Sequence, residues 1–233
     1  MKSFLETVCY EEKKAECRCD IHKGQNPFIT ISRPAGAGGH SLAGALLTEI
    51  HRQKSAEFQA WQMCDQEICK MLCNEPGLSL VVQNWLNKEY HSQIEDILEE
   101  LIVGTSPQDK VIKRMFVILR RLASFGKVIL VDHGANFVTQ GMPLGIHIRL
   151  VASLESRIRR MMQVANLNEK NAKQFITEQD KSREALVRNF FNKDIKDPLN
   201  YDVVWNTDGV SISEIAKRTV EMMKQKACCT SRE

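Results

Sequence analysis

The densest chemistry in the chain lies in nine residues that follow a short β-branched run: Arg33-Pro34-Ala35-Gly36-Ala37-Gly38-Gly39-His40-Ser41. Glycines let a backbone bend with positive φ and approach a ligand closely. A helix starting directly afterwards adds unpaired N–H donors and a partial positive charge, a combination that suits phosphate. The bland alternative is a tight turn that holds nothing, and the residues alone leave both open. The pattern G-x-x-x-x-G-K-[ST] is not met. With Gly38 as its last glycine, Arg33 stands at the first glycine, Gly39 at the lysine and His40 at the first hydroxyl. The lysine ordinarily cancels charge on the β- and γ-phosphates, and the hydroxyl holds Mg²⁺. Here Arg33 or another arginine must replace the former and Ser41 the latter, so binding of phosphate is better supported than its transfer.

A second set of chemistry-bearing residues is cationic. Residues 147–196 hold eleven Lys/Arg against six Asp/Glu, whereas the whole chain carries a net charge of only +3. Arg157, Arg159 and Arg160 follow an apolar run ending at Val151, and Arg183 and Arg188 come later on an expected helix. Arginine at a strand-to-helix exit suits bidentate phosphate contacts, and phosphoryl transfer works mainly by positioning and by neutralising developing charge. A solvated basic helix face is the competing explanation for any one of them. An RNA-binding face is not expected, because Phe175, Phe190 and Phe191 fit a core as readily as a stacking surface.

These residues need elements to hold them. Phe28-Ile29-Thr30-Ile31-Ser32, between Pro27 and Pro34, suits a buried strand, and Leu42, Ala45, Leu46 and Ile50 recur at helical spacing over about 41–53. The stretch 58–100 holds eight acids and two lysines and predicts helices near 65–73 and 94–102. Pro107 opens an amphipathic helix carrying Val111, Ile112, Met115, Ile118, Leu119 and Leu122, ended by Gly126. Strands are expected at 127–131, 145–151 and 201–205, and helices near 153–164, 168–192 and from Ser211 to about 226. Alternating short apolar strands and helices predict an α/β fold of three layers, α/β/α, around a mainly parallel sheet. Ligands in such folds sit beyond the carboxyl ends of the strands. That directs attention to 33–41, to 132–136 and to the loops after Val151 and Trp205.

Length and composition set the class. With 233 residues, 43% hydrophobic and 26% charged, the chain suits one sizeable core, here 27–233, preceded by a polar extension over 1–26. No apolar run approaches the ~18–20 residues that span a bilayer, and the acidic start does not read as a signal peptide. A cytoplasmic protein is expected, with no membrane partner. Cys17, Cys19 and His22, with Cys9, could hold a metal but read more simply as reduced thiols on a tail, and Cys64, Cys69 and Cys73 as small apolar residues on a helix.

The order of these pieces resembles the cytidylate kinase-like family, a branch of the P-loop nucleoside monophosphate kinases. Ile29-Thr30-Ile31-Ser32-Arg33 with Gly36-Ala37-Gly38-Gly39-His40 is similar to that family's I-T-I-S-R-x-x-G-S-G-G-R. Asp65-Gln66-Glu67-Ile68 resembles its D-x-E-I after the second strand, and Ala152-Ser153-Leu154-Glu155-Ser156-Arg157-Ile158-Arg159-Arg160 its A-x-x-E-x-R-x-x-R. Asp180-Lys181-Ser182-Arg183 fits a D-x-x-R lid element, and Tyr201-Asp202 through Asn206-Thr207 resembles Y-D-x-x-x-N-T. The likeness runs from Phe28 to about Lys226.

The resemblance implies ATP-dependent phosphoryl transfer to a nucleoside monophosphate, CMP or dCMP, with ATP and Mg²⁺ and with small nucleotides as the partners. It assigns 58–105 to a monophosphate-binding insertion, although that acidic stretch also reads as solvated surface, and about 160–195 to a lid. Catalytic roles fall to Arg157, Arg160 and Arg183, oriented by Asp180. ATP falls to Arg33, Gly36, Ala37, Gly38, Gly39, His40 and Ser41, with Ser41 on the metal. The acceptor falls to Asp65, Asp132, His133 and Asn136. Two departures stand out: His40 replaces an arginine, and Asp132-His133-Gly134-Ala135 replaces G-R-G-A. They fit weak catalysis, an altered substrate, or a nucleotide-binding protein that no longer phosphorylates.

Overall fold

The structure is a computed structural model and describes residues 26–53, 58–65 and 107–230. The polar extension up to residue 25, the acidic helices expected near 65–73 and 94–102, and nearly all of the 58–105 insertion lie outside them. So do Cys9, Cys17, Cys19, His22, Cys69 and Cys73.

Among the described residues, five strands form one parallel sheet: β1 (Phe28–Ser32), β2 (Gln62–Cys64), β3 (Val128–Val131), β4 (Gly145–Val151) and β5 (Val203–Asn206). Their spatial order is β2-β3-β1-β4-β5, which places β1 at the centre. In register, Ile31 lies beside Val131 on one side and Ile148 on the other, and Ser32 lies beside Arg149. The helices are α1 (Gly39–His51), α2 (Pro107–Phe125), the single turn α3 (Ala135–Val138), α4 (Leu154–Ala165), α5 (Glu169–Phe191) and α6 (Ile212–Thr230). This is the expected α/β architecture, and the bounds of β1, β3, β4, β5 and of the helices other than α3 match the expected ones within a few residues; the three-residue β2 was not expected, and Cys64, expected on a helix, is buried on it. The turn α3 carries no periodic signal, being too short to show one.

Side chains alternate across the sheet. On one face Ile29, Ile31, Ile129, Val131, Ile146, Ile148 and Leu150 pack against Leu42, Leu46 and Ile50 of α1 and Ile215, Val220 and Met223 of α6. On the other, Phe28, Val128 and Leu130 pack against Phe116, Ile118, Leu119 and Leu122 of α2, with Phe190 and Phe191 of α5 closing over them. Each large aliphatic side chain buried in this way contributes about 1.5–3 kcal/mol. The second face is apolar only in part: on β1 and β4 it presents Thr30, Ser32, His147 and Arg149. Thr30 Oγ1 and His147 Nδ1 are 2.9 Å apart, and Arg149 Nη1 donates to Ser32 Oγ at 3.1 Å. Among the described residues no helix is long and apolar enough to cross a membrane.

Candidate functional site

The strand β1 runs into the glycine loop, and the loop into α1. Gly36 has φ +78° and Gly38 φ +94°, conformations that residues with a Cβ rarely adopt. At Gly36 a Cβ would also lie 2.7 Å from the Arg157 carbonyl oxygen. The helices α4 and α5 are capped by the side chains that precede them: Ser153 accepts from the Ser156 N–H at the start of α4, and Asn168 from the Asn171 N–H at the start of α5. In contrast, α1 begins on left-handed Gly38 with no side-chain cap. Its first-turn N–H groups thus keep the donor capacity and positive potential that favour an anion.

The back of the loop is braced from distant parts of the chain. Arg157 Nη1 donates to Ala35 O at 3.3 Å, Arg160 Nη1 to Gly36 O at 2.6 Å, and Thr207 Oγ1 to Ala37 O at 3.2 Å. The Ala35 N–H donates to Asp180 Oδ1 at 2.7 Å, while Arg157 Nη1 also donates to Asp180 Oδ2 at 2.5 Å. Three consecutive carbonyls are therefore fixed by side chains of α4 and of the loop after β5. Each such bond is worth about 1 kcal/mol net, and together they set one loop shape.

A buried charge network joins the loop to α5. Arg33 Nη1 lies 2.6 Å from Asp132 Oδ2, and Arg183 Nε donates to the same oxygen at 2.8 Å. Burial pushes the Asp132 carboxyl up, but Arg33 and Arg183 outweigh it and hold the group at about 2. Burial lowers the Arg33 pKa from its ordinary value although Asp132 opposes this. The Arg33 side chain also covers Gly39: a Cβ there would lie 2.7 Å from Arg33 Cδ and Nε. Arg33 thus takes the room that a lysine at position 39 would need.

Beside this network opens a pocket lined by Ser32, Asp132, His133, Asn136, Ser182 and Arg183, with Leu186, Val187 and Ile195 on its apolar side. Asp132, His133 and Gly134 all have positive φ, at +83°, +58° and +69°. Such a run of left-handed residues stores strain, the kind of cost that accumulates at functional turns. Asn136 Nδ2 donates to Asn200 O at 3.4 Å.

The sequence-derived residues thus fall into three places. Arg33, Arg157, Arg160, Arg183, Asp132 and Asp180 converge on the loop and its network. His133 and Asn136 line the adjoining pocket together with Asp132. His40 and Asp65 are not in the lining of that pocket and stand together, with His40 Nε2 at 3.7 Å from Asp65 Oδ2. Ser41 lies exposed on the first turn of α1. Sequence reasoning missed the contributions of Ser32, Arg149, Tyr201 and Thr207. For Arg149 a signal existed: a guanidinium between Ile148 and Leu150 in a buried strand. Among the described residues no group of three or more His, Cys, Asp or Glu could hold a metal ion. A Mg²⁺ carried mainly by nucleotide phosphates needs only one or two protein oxygens, and the Ser41 hydroxyl fits that lesser demand.

The sequence profile of the cytidylate kinase-like family matches residues 28–209. No curated protein sequence matches the chain. Among solved structures, an uncharacterized protein from Eubacterium ventriosum ATCC 27560 is 17% identical with TM-score 0.67, covering 86% of this chain and 99% of its own. A gluconokinase from Sinorhizobium meliloti 1021 is 13% identical with TM-score 0.47, covering 87% and 94%. A shikimate kinase from Bacteroides thetaiotaomicron is 13% identical with TM-score 0.44, covering 85% and 98%.

Proposed function

The chain belongs to the cytidylate kinase-like family, and on that premise we propose that it transfers the γ-phosphoryl group of ATP to a nucleoside monophosphate, CMP or dCMP. The observation that carries the reading is Arg33 laid across Gly39 at the mouth of an uncapped helix. A fixed cation thereby stands where a phosphate loop usually keeps its lysine, with first-turn amides beside it.

In this mechanism the N–H groups of 38–41 hold the polyphosphate, and Arg33 supplies charge from the strand side. Arg157 and Arg160 keep the loop in shape through its carbonyls. Arg183, anchored on Asp132, joins the loop to the pocket where the acceptor would lie. Mg²⁺, when bound with ATP, would neutralise charge on the β- and γ-phosphates, with Ser41 as its protein oxygen. No general base is needed, because the attacking group is already an anionic phosphate. Catalysis on these terms is positioning and electrostatics.

One observation favours a second reading, a nucleotide-binding regulatory protein without turnover. Two of the cations at the loop are already paired, Arg33 with Asp132 and Arg157 with Asp180. A coupled assay of ADP formation across CMP, dCMP, UMP and AMP separates the two. Acceptor-dependent ADP release supports the kinase, whereas ATP binding with no turnover on any acceptor supports the regulator.

A further inference from the structure

The buried charges beside the glycine loop form a chain rather than separate pairs. It passes from Arg33 to Asp132, from Asp132 to Arg183, from Arg183 to Asp180 at 3.7 Å, and from Asp180 to Arg157. Both ends lie on the loop. The Arg33 side chain covers Gly39, while Arg157 and Asp180 hold the carbonyl and the N–H of Ala35. The middle members, Asp132 and Arg183, line the pocket, and neither Arg33 nor Arg157 does. One set of charges thus touches both places where ligands are expected.

The junction is a single atom. Arg33 Nη1 and Arg183 Nε both meet Asp132 Oδ2, at 2.6 Å and 2.8 Å. No described residue donates a hydrogen bond to the other oxygen, Oδ1, and that oxygen is not sealed in. Burial raises the carboxyl pKa, but the two arginines hold it at about 2, so the group stays ionised. Along the chain three guanidinium groups share two carboxylates, and Arg157 Nε and Arg183 Nη1 are sealed in without a hydrogen bond. Negative charge is in short supply, so what one arginine gains from Asp132 the other loses.

This competition has a sign. A polyphosphate at the loop draws on Arg33 and leaves Asp132 less satisfied, so Asp132 offers more to a hydrogen-bond donor in the pocket. A neutral group that donates there, such as a hydroxyl or amine of a nucleoside, relaxes the hold of Asp132 on Arg33. That cation is then freer for the phosphates. We propose that Asp132 is a positioning residue that couples the two sites. A polyphosphate on the glycine loop and a neutral, donor-bearing group in the pocket each tighten the other through the oxygen that Arg33 and Arg183 share. This rests on the reading that the loop holds ATP and the pocket the acceptor, but it requires no phosphoryl transfer. By linkage the factor is the same in both directions.

Calorimetry on the full chain measures the non-hydrolysable ATP analogue AMP-PNP with Mg²⁺, and cytidine, each alone and with the other saturating. Wild type, Asp132→Asn and Arg33→Gln are compared, with the exposed Arg159→Ala as a charge control and thermal melts alongside. In wild type, saturating cytidine is expected to tighten AMP-PNP about fivefold or more, the lower end of typical couplings between sites. Two affinities then rise where a merely structural network would make them fall. Asp132→Asn binds AMP-PNP more tightly than wild type although it melts lower, because Arg33 is released, and cytidine adds nothing further. Arg33→Gln binds cytidine more tightly than wild type although position 33 is outside the pocket lining, because Asp132 is released. The inference is overturned if cytidine moves wild-type AMP-PNP affinity by less than threefold, or if either folded variant shows no gain. It is equally overturned if wild type binds only one probe or neither. Should Asp132→Asn fail to fold, wild type and Arg33→Gln decide the matter. Coupling without ADP formation from ATP and CMP keeps this inference and removes the kinase reading. ADP formation with uncoupled binding does the reverse.

Discussion

Replacing Asp132 by Asn removes one negative charge from between two buried guanidinium groups. The side chains of Arg33, Asp132 and Arg183 are 8%, 12% and 15% exposed, so water cannot take over the lost role. Two estimates bound the cost. The gap between an ordinary carboxyl at 3.8 and about 2 in the fold corresponds to about 2.5 kcal/mol, at roughly 1.36 kcal/mol per tenfold change in proton affinity. Removing one partner of a buried ion pair costs about 3–5 kcal/mol. Because Asn keeps one oxygen facing the arginines, about 3 kcal/mol is expected. For a chain of this size that is a fall in Tm of roughly 6–12 °C. The sign of the pH dependence follows from the same pair. The folded carboxyl is held below its unfolded value, so its stabilisation is complete above about pH 4 and is lost as pH falls towards about 2. Denaturant unfolding of wild type and Asp132→Asn between pH 2 and 6 measures both quantities. A Tm loss below about 2 °C, or an equally steep acid-induced fall in the variant, would refute the claim that this network is a stabilising one.

Three further outcomes follow from the same geometry. Gly39→Lys alone should lower Tm and abolish any ATP-induced rise in Tm, because its Cβ meets Arg33, which is pinned to Asp132. Adding Arg33→Gly should restore the ATP-induced rise by clearing room for the new lysine, while Tm stays below wild type because Asp132 loses one partner, and a double variant no better at binding than the single one counts against the swap. Gly36→Ala should cost about 1–2 kcal/mol for its left-handed backbone alone, with more from the 2.7 Å approach to Arg157 O, and should suppress nucleotide binding in a thermal-shift assay. His147 has its pKa lowered by burial, with Asp202 opposing and Lys226 adding to the effect. The unfolded imidazole therefore takes up a proton below about pH 6.5 while the folded one resists, and stability should fall as pH drops through that value. Equilibrium unfolding of His147→Gln over the same range should show a flatter profile.

Much of the scaffold is legible in the residues because local periodicity and tertiary burial agree. Phe28–Ser32 is a β-branched run and is buried along its whole length, while the apolar stripe of 107–125 faces the sheet. The glycine loop is also legible, since its backbone demands act within seven residues. What the sequence hides is which charges meet. Asp132 looks like a residue aimed at a ligand, yet β1 and β3 are neighbours, and that adjacency delivers it to Arg33. Arg157 and Arg160 read as groups reaching for phosphate, and in this structure their contacts are with the loop carbonyls. Such pairings depend on strand order and on how α4 and α5 pack, and neither leaves a trace in local spacing. Arg149 is the intermediate case: its oddity shows in the strand pattern, but its partners Ser32 and Tyr201 lie 117 and 52 residues away.

The braces on the glycine loop carry a consequence for biosynthesis. Ala35, Gly36 and Ala37 are tied to Arg157, Arg160 and Thr207 across separations of 122, 124 and 170 residues. As the chain leaves a ribosome, every glycine of the loop is made early, but the groups that give the loop its shape arrive last. A nascent chain that ends before Arg157 has the full motif and none of these three braces, and one that ends between Arg160 and Thr207 has two of them, so the loop gains its hold in steps during synthesis.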